Sequence, residues 1–495
     1  MKRLIALCLV LVLLLSALPL AGAAFTDEKN IGADYKAAVN AMTEKKIING
    51  FSDGSFGPKQ TLTRAQAAKI LCVMLEGEEG ANALTKTETG FSDVPASHWA
   101  AKFVAYCADK GIVAGVGDGK FDPDGKLSSA AFAKMLLVAY GADASTMTGS
   151  TWISGVRKAA EPTFLAYNLK EFSTTSLPRQ EACQMAFNAI FGAEAKADRE
   201  KGDPRTVPAG VPETVKLFII GHSYGNDCTL AYLYQLLKDA GVKNVVIGTL
   251  YYSGCPYKKH IDFALQNKPV YAYYKNTDGK LVTTKETTFD KSIGDEQWTH
   301  ILMLHGFVGK DDDFAPCPWQ DLVLWYARRT QPDAYYGYIM TWAFRTDIKL
   351  RDSHQANFNL YYGGDAQKMY ESQVDKVKRY AEPEQRFKYI VPAGTSIMNA
   401  RTSFLGCGVH RDNMSHLNKG IGRYIAAMTV CCTLTGVSPD QLTYLPESLL
   451  DNLPEGLDKN TPGLLDTLGK IARESVKNTM AKPYEITQST YTTKP

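Results

Sequence analysis

An internal repeat in the first 195 residues limits the possible folds of this chain more than any other feature. The segment over residues 46–69 recurs 65 positions later, over residues 111–134, with a shared Gly-x-x-Asp-Gly turn, a Pro and a Leu-[Thr/Ser]-x-Ala run. A third, eroded copy keeps Leu-Pro-Arg-Gln-Glu-Ala over residues 177–182. Repeats at a fixed period predict a stacked array of identical supersecondary units.

The residues of each copy predict helix, turn, short loop and helix. An Asp-Gly dipeptide favours a tight turn, and the following Pro ends it. Thr63 in the first copy and Ser128 in the second are well placed to cap a helix whose apolar residues then follow helical spacing. The first part of the chain is therefore predicted to be all-α.

These motifs, together with Phe-Ser-Asp-Val at residues 91–94 and His-Trp-Ala at residues 98–100, resemble the S-layer homology (SLH) domain. The resemblance implies a helical prism of three repeats that docks on a secondary cell-wall polysaccharide. The predicted repeats are residues 25–88, 89–148 and, in degenerate form, 149–195.

In that family the arginine of the Thr-Arg-Ala-Gln motif binds an acidic substituent of the glycan. The resemblance thus implies Arg64 and Arg179 as glycan-binding residues, whereas the second copy has Ser129 at this position. A guanidinium suits a carboxylate because it can donate two parallel hydrogen bonds. The alternative is that Arg64 only completes the packing of its own helix.

The N-terminus predicts export. Two basic residues precede an apolar run over residues 4–20 and small residues at 21–24, which is typical of a secretory signal peptide over residues 1–24. A permanent membrane anchor is the alternative, but the run is short for a spanning helix. With 55 basic and 52 acidic residues, charge gives no case for nucleic acid or an anionic membrane as partner. No membrane span is expected after cleavage.

The sequence predicts no cofactor and no metal site. The eight histidines show no His-Glu-x-x-His spacing, and the nine cysteines outside the signal segment are too irregular for a disulfide framework. The acidic run at residues 311–313 could hold calcium, but it lacks alternating ligand spacing and is expected to be a solvated loop.

A second domain follows a charged, Pro-rich stretch that is predicted to be a linker, residues 196–213. An apolar run at 215–220 predicts a buried strand, and a Gly-rich turn with Ser223 leads from it into a helix. A second such strand over 245–250 indicates an α/β domain with a doubly wound parallel sheet. We expect this domain to span 214–436, followed by a C-terminal helical extension and tail, 437–495, with a helix over 463–481 and disorder from about Thr487.

Ser223 is the candidate nucleophile. The pattern Gly221-x-Ser223-x-Gly225 matches the nucleophile elbow of α/β-hydrolases, but that fold places several strands before its elbow, and here the serine follows the first strand. The literal match is therefore not taken to indicate that fold.

A candidate base lies far along the chain. Asp412 precedes His416 just before a predicted helix, and such a pair can orient an imidazole that deprotonates a serine. His410 is the rival base. An early serine turn with a late Asp/His motif resembles the SGNH, or GDSL-like, hydrolases, and an uncharacterised bacterial branch of them through motifs at residues 252–255, 340–343, 392–401 and 422–424.

That resemblance implies Ser223 as nucleophile, His416 as base and Asp412 as its orienting group. It also implies an oxyanion hole lined by the N–H groups of Ser223 and Gly254. Two features depart from the family pattern: the Asp-to-His interval is four rather than three, and His305 stands where a side-chain amide usually completes the oxyanion hole.

The sequence as a whole predicts an exported serine esterase, tethered to the cell wall or S-layer of a Gram-positive-type bacterium. Its substrate would be an ester-bearing small molecule or a surface carbohydrate such as an O-acetylated glycan. The alternative is a wall-binding protein with a degenerate, non-catalytic SGNH domain. A tyrosine-rich run between residues 232 and 274 fits either a carbohydrate-stacking surface or core packing.

Overall fold

The computed structural model describes residues 25–167, 169, 171–305, 319–413 and 415–495. The predicted signal peptide and the acidic run at 311–313 lie outside these residues. The chain divides into two compact units, Met1–Ala193 and Glu194–Pro495.

The first unit is helical, as its repeats predict. The two predicted caps form: Thr63 makes a capping box with Gln66, and the Ser128 side chain accepts a hydrogen bond from the backbone N–H of Ala131. The helices are α1 Lys36–Glu44, α2 Arg64–Asn82, α3 Ala101–Asp109, α4 Ser129–Ala139, α5 Trp152–Ala160 and α6 Arg179–Lys201, with 3-10 turns at Glu28–Asn30, Ala33–Tyr35 and Ala144–Met147.

A closed ring of backbone hydrogen bonds joins the three repeats. Leu62 N donates to Leu177 O (3.0 Å), Leu127 N to Leu62 O (2.9 Å), and Leu177 N to Leu127 O (2.8 Å). These leucines hold the same position in the three copies, and all three are buried. The third copy is therefore an equal partner in the ring although its turn sequence is eroded.

The second unit is an α/β domain built on one sheet. Within the described residues the sheet has seven strands in the order β4-β3-β2-β1-β5-β6-β7. The strands are β1 Thr214–Gly221, β2 Asn244–Tyr251, β3 Tyr271–Thr277, β4 Lys280–Thr287, β5 His300–Met303, β6 Tyr335–Ile339 and β7 Phe387–Val391.

The sheet is mixed, which corrects the prediction of a parallel sheet. Strands β2, β1, β5, β6 and β7 run parallel, whereas β3 and β4 are antiparallel to their neighbours. The cause is local: Asp278 and Gly279 between β3 and β4 have φ of 57° and 77°, and two positive φ values form the two-residue turn that suits a hairpin. The hairpin adds an antiparallel edge to a parallel core.

Helices and turns complete the second unit. The helices are α7 Ser223–Thr229, α8 Leu233–Asp239, α9 Tyr257–Leu265, α10 Phe289–Ile293, α11 Asp321–Thr330, α12 Asp352–Tyr362, α13 Ala366–Lys376, α14 Ala393–Arg401, α15 Ile421–Thr435 and α16 Leu464–Ala481. A π-helical turn lies at Val377–Ala381, and 3-10 turns lie at Gly406–Val409, Pro439–Gln441 and Glu447–Asn452.

The main core lies between the sheet and α15. This helix contacts α7, α8, α14, α16 and β7, and it is buried along most of its length. Leu217 and Ile219 of β1 face this core. Since side chains alternate along a strand, Phe218 faces the other side, where its ring lies 5.0 Å from that of Trp298. Both faces of β1 are therefore buried, as its unbroken apolar run predicts.

The stretch predicted to be a linker is structured at its start. Helix α6 runs on to Lys201, and Asp198 forms ion pairs with Arg328 (3.0 Å) and with Arg386 (2.9 Å), whose side chain is fully buried. Asp203 pairs with Arg205 (2.6 Å). The charges that made this stretch resemble a solvated linker thus form ion pairs within the second unit.

The C-terminal tail is ordered, contrary to the expectation of disorder from Thr487. Thr487 N donates to the side-chain oxygen of Asn399 (2.7 Å), and Phe404 N donates to Tyr491 O (2.9 Å). The predicted helix is present as α16, which packs on α14 and α15. The polar composition of the tail satisfies hydrogen bonds along α14 instead of solvating a free end.

Candidate active site

Ser223 lies where β1 passes into α7, at the carboxyl end of the parallel strands. The turn is tight because two glycines allow close approach: a Cβ on Gly221 would lie 2.6 Å from Leu304 Cγ, and one on Gly225 would lie 3.1 Å from Leu304 Cδ2. The His222 side chain caps the helix by accepting from Tyr224 N (3.4 Å). The glycines of this motif are thus required by packing, and they leave the Ser223 side chain only partly buried.

The structure brings Ser223, His416 and Asp412 into one chain of hydrogen bonds. His416 Nε2 lies 2.8 Å from Ser223 Oγ, and His416 Nδ1 lies 2.9 Å from Asp412 Oδ2. Because a carboxylate can only accept, Nδ1 carries the ring proton and Nε2 accepts from the serine hydroxyl. This is the arrangement a serine nucleophile needs for its activation.

The four-residue interval between Asp412 and His416 is accommodated by the loop. Ser415 N donates to Asp412 O (3.1 Å), and Ser415 takes a left-handed conformation with φ of 56°. The Asp412 carboxylate also accepts from His416 N (3.1 Å), so it holds both the backbone and the ring of the histidine. One residue of unusual conformation therefore absorbs the extra length.

His410, the rival base, is not placed beside Ser223. Its ring is buried, and Nδ1 pairs with Ser415 O (3.2 Å). Burial lowers the pKa of His410 to about 3, so it stays neutral near pH 7. It supports the loop that carries His416.

A stacked pair of aromatic rings packs against His416. Tyr224 stacks on Trp342 with 4.4 Å between ring centroids, and its ring meets that of His416 edge-on at 5.5 Å. Trp342 Nε1 donates to Ser415 O (2.8 Å). The motif around Trp342, noticed in the sequence only as part of a resemblance, thus positions the His416 loop.

The two further oxyanion candidates lie at the same edge of the sheet. Tyr251 at the end of β2 is in register with Gly221, and the exposed Gly254 follows three residues later with φ of 57°, a conformation that favours glycine. His305 follows the end of β5, is buried, and packs on Tyr257 with 4.7 Å between ring centroids.

Sequence reasoning missed Asp227, which is buried one helical turn after Ser223. It accepts from Leu417 N (3.0 Å) and from Arg423 Nε (2.9 Å). Its spacing of four residues from Ser223 was the available signal, because that spacing puts both side chains on one face of α7.

In the first unit, both candidate glycan-binding arginines are held by backbone carbonyls of another repeat. Arg64 donates to Phe121 O (2.7 Å) and Ala114 O (2.7 Å) and lies over the Phe121 ring. Arg179 donates to Phe56 O (3.0 Å) and Asn49 O (2.8 Å). Arg64 is half-buried, whereas Arg179 is buried.

Ser129 replaces the arginine in the second copy. Its backbone neighbour Ala130 donates to Ser173 O (3.0 Å), and its own hydroxyl accepts from Ser173 N (2.8 Å). The serine joins the second repeat to the third by short contacts. A guanidinium is supplied beside these contacts by Arg157 instead, which donates to Phe172 O (3.2 Å).

Two general features of the described residues bear on function. They contain no cluster of three or more His, Cys, Asp or Glu side chains arranged to hold a metal ion. In the same part of the chain, no helix combines the length and apolarity needed to cross a membrane.

Two known protein families match different parts of the chain. The S-layer homology domain model matches residues 24–68 and 90–133, and the model of a domain of unknown function, DUF4886, matches residues 216–454. The chain carries S-layer homology domains and a DUF4886 domain. The SLH domains indicate association with the cell wall or S-layer.

Individual relatives include bacterial surface proteins. The chain is 37% identical over 144 residues to a cell surface protein of Thermoanaerobacter kivui, an alignment covering 28% of this chain and 19% of that protein. It is 33% identical over 127 residues to S-layer protein EA1 of Bacillus anthracis, covering 26% and 14%. The chain thus spans less than a fifth of the length of these relatives.

A solved structure of a DUF4886 family protein from Bacteroides uniformis is 31% identical to this chain. The match covers 57% of this chain and 100% of that one, with a TM-score of 0.48. Neither the description of the family nor that of the solved protein states an activity for the DUF4886 domain.

Proposed function

We propose that this protein is a cell-wall-tethered serine esterase whose DUF4886 domain is an SGNH-like hydrolase. The observation that carries the proposal is the hydrogen-bonded chain Ser223, His416, Asp412 at the carboxyl edge of the sheet. Without the β3–β4 hairpin, the parallel strands follow the order β2-β1-β5-β6-β7, which is the order of a doubly wound sheet that binds ligands beside its first strand.

The reaction follows from the geometry. His416 Nε2 takes the proton of Ser223 as Oγ attacks the ester carbonyl, and Asp412 stabilises the imidazolium that forms. The N–H groups of Ser223 and Gly254, with His305 as a third donor, would bind the oxyanion of the tetrahedral intermediate. His416 then protonates the leaving alcohol, and water, activated by the same ring, releases the acid from the acyl-serine.

A surface carbohydrate is the proposed substrate, with an O-acetyl group as the ester. The SLH domains hold the enzyme at a glycan-rich surface, and tethering raises the effective concentration of such esters. Deacetylation of wall polysaccharide or peptidoglycan needs only the serine mechanism described above.

Anchoring is proposed to run through Arg64. Its guanidinium lies half-exposed between the first and second repeats, so an acidic glycan group can reach it. Arg179 has the equivalent position but is buried, so its part in glycan binding is expected to be smaller. Arg64→Ala should reduce co-sedimentation of the full chain with purified cell walls, whereas Lys158→Ala, a change at an exposed lysine of the third repeat, should not.

The test of the enzymatic proposal is hydrolysis of a short-chain aryl acetate by the full chain. Ser223→Ala should lower kcat/KM by at least about 10³-fold. Ser353→Ala, an exposed serine of α12, is the matched control and should keep wild-type activity. Equal activity in wild type and Ser223→Ala would refute the nucleophile, and a folded, inactive wild type would favour a non-catalytic wall-binding protein.

A further inference from the structure

Asp227 connects the two halves of the candidate active site. It lies on α7, four residues after Ser223, and its carboxylate is 1% exposed. Oδ2 accepts from the backbone N–H of Leu417, the residue directly after His416 (3.0 Å). One side chain therefore joins the helix of the nucleophile to the segment of the base.

The other oxygen of Asp227 extends this link to α15. Oδ1 accepts from Arg423 Nε (2.9 Å) and forms an ion pair with Arg423 Nη2 (2.8 Å). Both oxygens of the carboxylate are thus used, and two nitrogens of the guanidinium converge on Oδ1. Hydrogen bonds between charged groups are short and strong, and two of them to one oxygen restrict where the guanidinium can lie.

The electrostatic environment of Asp227 includes the catalytic ring. Burial raises the pKa of Asp227, while Arg423, His416 and the N–H of Leu417 oppose that rise. Removing one partner of a buried ion pair costs free energy, because the charge of the other partner is left uncompensated. Removing one partner should therefore move the other.

We infer that Asp227 is a positioning residue that sets the distance between Ser223 and His416 through Leu417 and Arg423. This inference rests on the proposed esterase function for its kinetic consequence, but its structural consequence is independent of activity. A shift of about 1 Å between reacting groups can cost about 10²-fold in rate without loss of binding.

The experiment compares Asp227→Asn with Asp239→Asn in the full chain. Asp239 is a matched control because its carboxylate also joins a helix, α8, to a distant segment, accepting from the backbone N–H groups of Thr443 and Tyr444 (2.6 and 2.8 Å). Within the part of the chain that the structure describes, Asp239 makes no contact with the loop that carries His416. Aryl acetate hydrolysis and a crystal structure of each variant are measured.

Asp227→Asn should lower kcat about 10- to 100-fold with KM changed less than about 3-fold. In its crystal structure, His416 Nε2 should lie beyond hydrogen-bond distance of Ser223 Oγ. Asp239→Asn should leave kcat and the Ser223–His416 distance unchanged. In a double variant that combines Asp227→Asn with Arg423→Met, the fold-decrease in kcat should be smaller than the product of the two single decreases, because both changes break the same link.

The inference is overturned if Asp227→Asn keeps the 2.8 Å contact between Ser223 and His416, whatever its rate. It is also overturned if kcat falls equally in both aspartate variants. A wild type without esterase activity would refute the proposed function, and the crystal structure of Asp227→Asn would still decide the positioning role.

Discussion

His416 Nε2 lies 2.8 Å from Ser223 Oγ, although 193 positions separate the two residues in the sequence. The contact exists because the turn after β1 and the loop before α15 meet at the same edge of the sheet. Asp412 holds the far side of the ring, and Asp227 holds the backbone beyond it.

Asp412→Asn should lower kcat by about 10²- to 10⁴-fold, since an amide no longer selects the tautomer in which Nε2 accepts from the serine. Asp347→Asn is the matched control, because Asp347 pairs with Arg345 (2.8 Å) on the neighbouring loop. The measurement is kcat for an aryl acetate. Similar kcat values in the two variants would exclude Asp412 as the orienting group.

Gly221→Ala should destabilise the second unit by about 1–3 kcal/mol and reduce activity, because its Cβ would lie 2.6 Å from Leu304 Cγ. Combined with Leu304→Ala, it should lower the free energy of unfolding by less than the sum of the two single losses, because the added methyl group then fills part of the space that the leucine leaves. Urea unfolding of the two single variants and the double variant gives the three free energies. A Gly221→Ala protein as stable as the wild type would show that the turn tolerates a side chain.

Buried histidines should make the second unit acid-labile. Burial lowers the pKa of His222, His260 and His410 to about 3 each, whereas an exposed histidine titrates near 6.5. Between these values the unfolded chain binds protons that the folded chain excludes. Stability is therefore full above about pH 6.5 and falls as the pH is lowered toward 3, by about 1.4 kcal/mol per pH unit for each such histidine.

The measurement for that prediction is the free energy of unfolding against pH. His260→Gln should reduce the slope of this free energy against pH by the contribution of one histidine, about 1.4 kcal/mol per pH unit. Tyr271→Phe removes the hydroxyl that pairs with His260 Nδ1 (3.0 Å) but keeps the imidazole, so its slope should match the wild type. Equal slopes for all three proteins would contradict the assignment.

Arg179→Ala should destabilise the first unit by about 2–4 kcal/mol, because the carbonyls of Phe56 and Asn49 both lose their partner. Lys158→Ala, a change at an exposed lysine of the third repeat, should change stability by less than about 0.5 kcal/mol. Calorimetry of the unfolding transition of the first unit distinguishes the two variants. No difference between the variants would mean that Arg179 does not stabilise the repeats.

Much of the architecture could be predicted because it depends on local signals. These signals act over a few residues: the caps at Thr63 and Ser128, the apolar run of β1 and the helical spacing of α16. The structure contains the corresponding elements. The contacts among Ser223, His416 and Asp412 were expected because the hypothesis of a hydrolytic serine requires a base and an orienting carboxylate beside it.

The remaining features depend on tertiary contacts. Burial of Arg386 against Asp198 turns a charged stretch into part of the domain, and composition alone cannot reveal a partner 188 positions away. The role of Asp227 is hidden for the same reason. The β3–β4 hairpin is different, since Asp278-Gly279 between alternating strands was a local signal that sequence reasoning passed over.

The most direct test of the account is covalent labelling of the full chain with a fluorophosphonate, followed by peptide mapping. The account predicts one modified serine, Ser223, labelled rapidly in the wild type and at least about 10²-fold more slowly in His416→Ala, because the ring removes the proton of Oγ. Labelling at another serine, or at Ser223 with the same rate in both proteins, would contradict it.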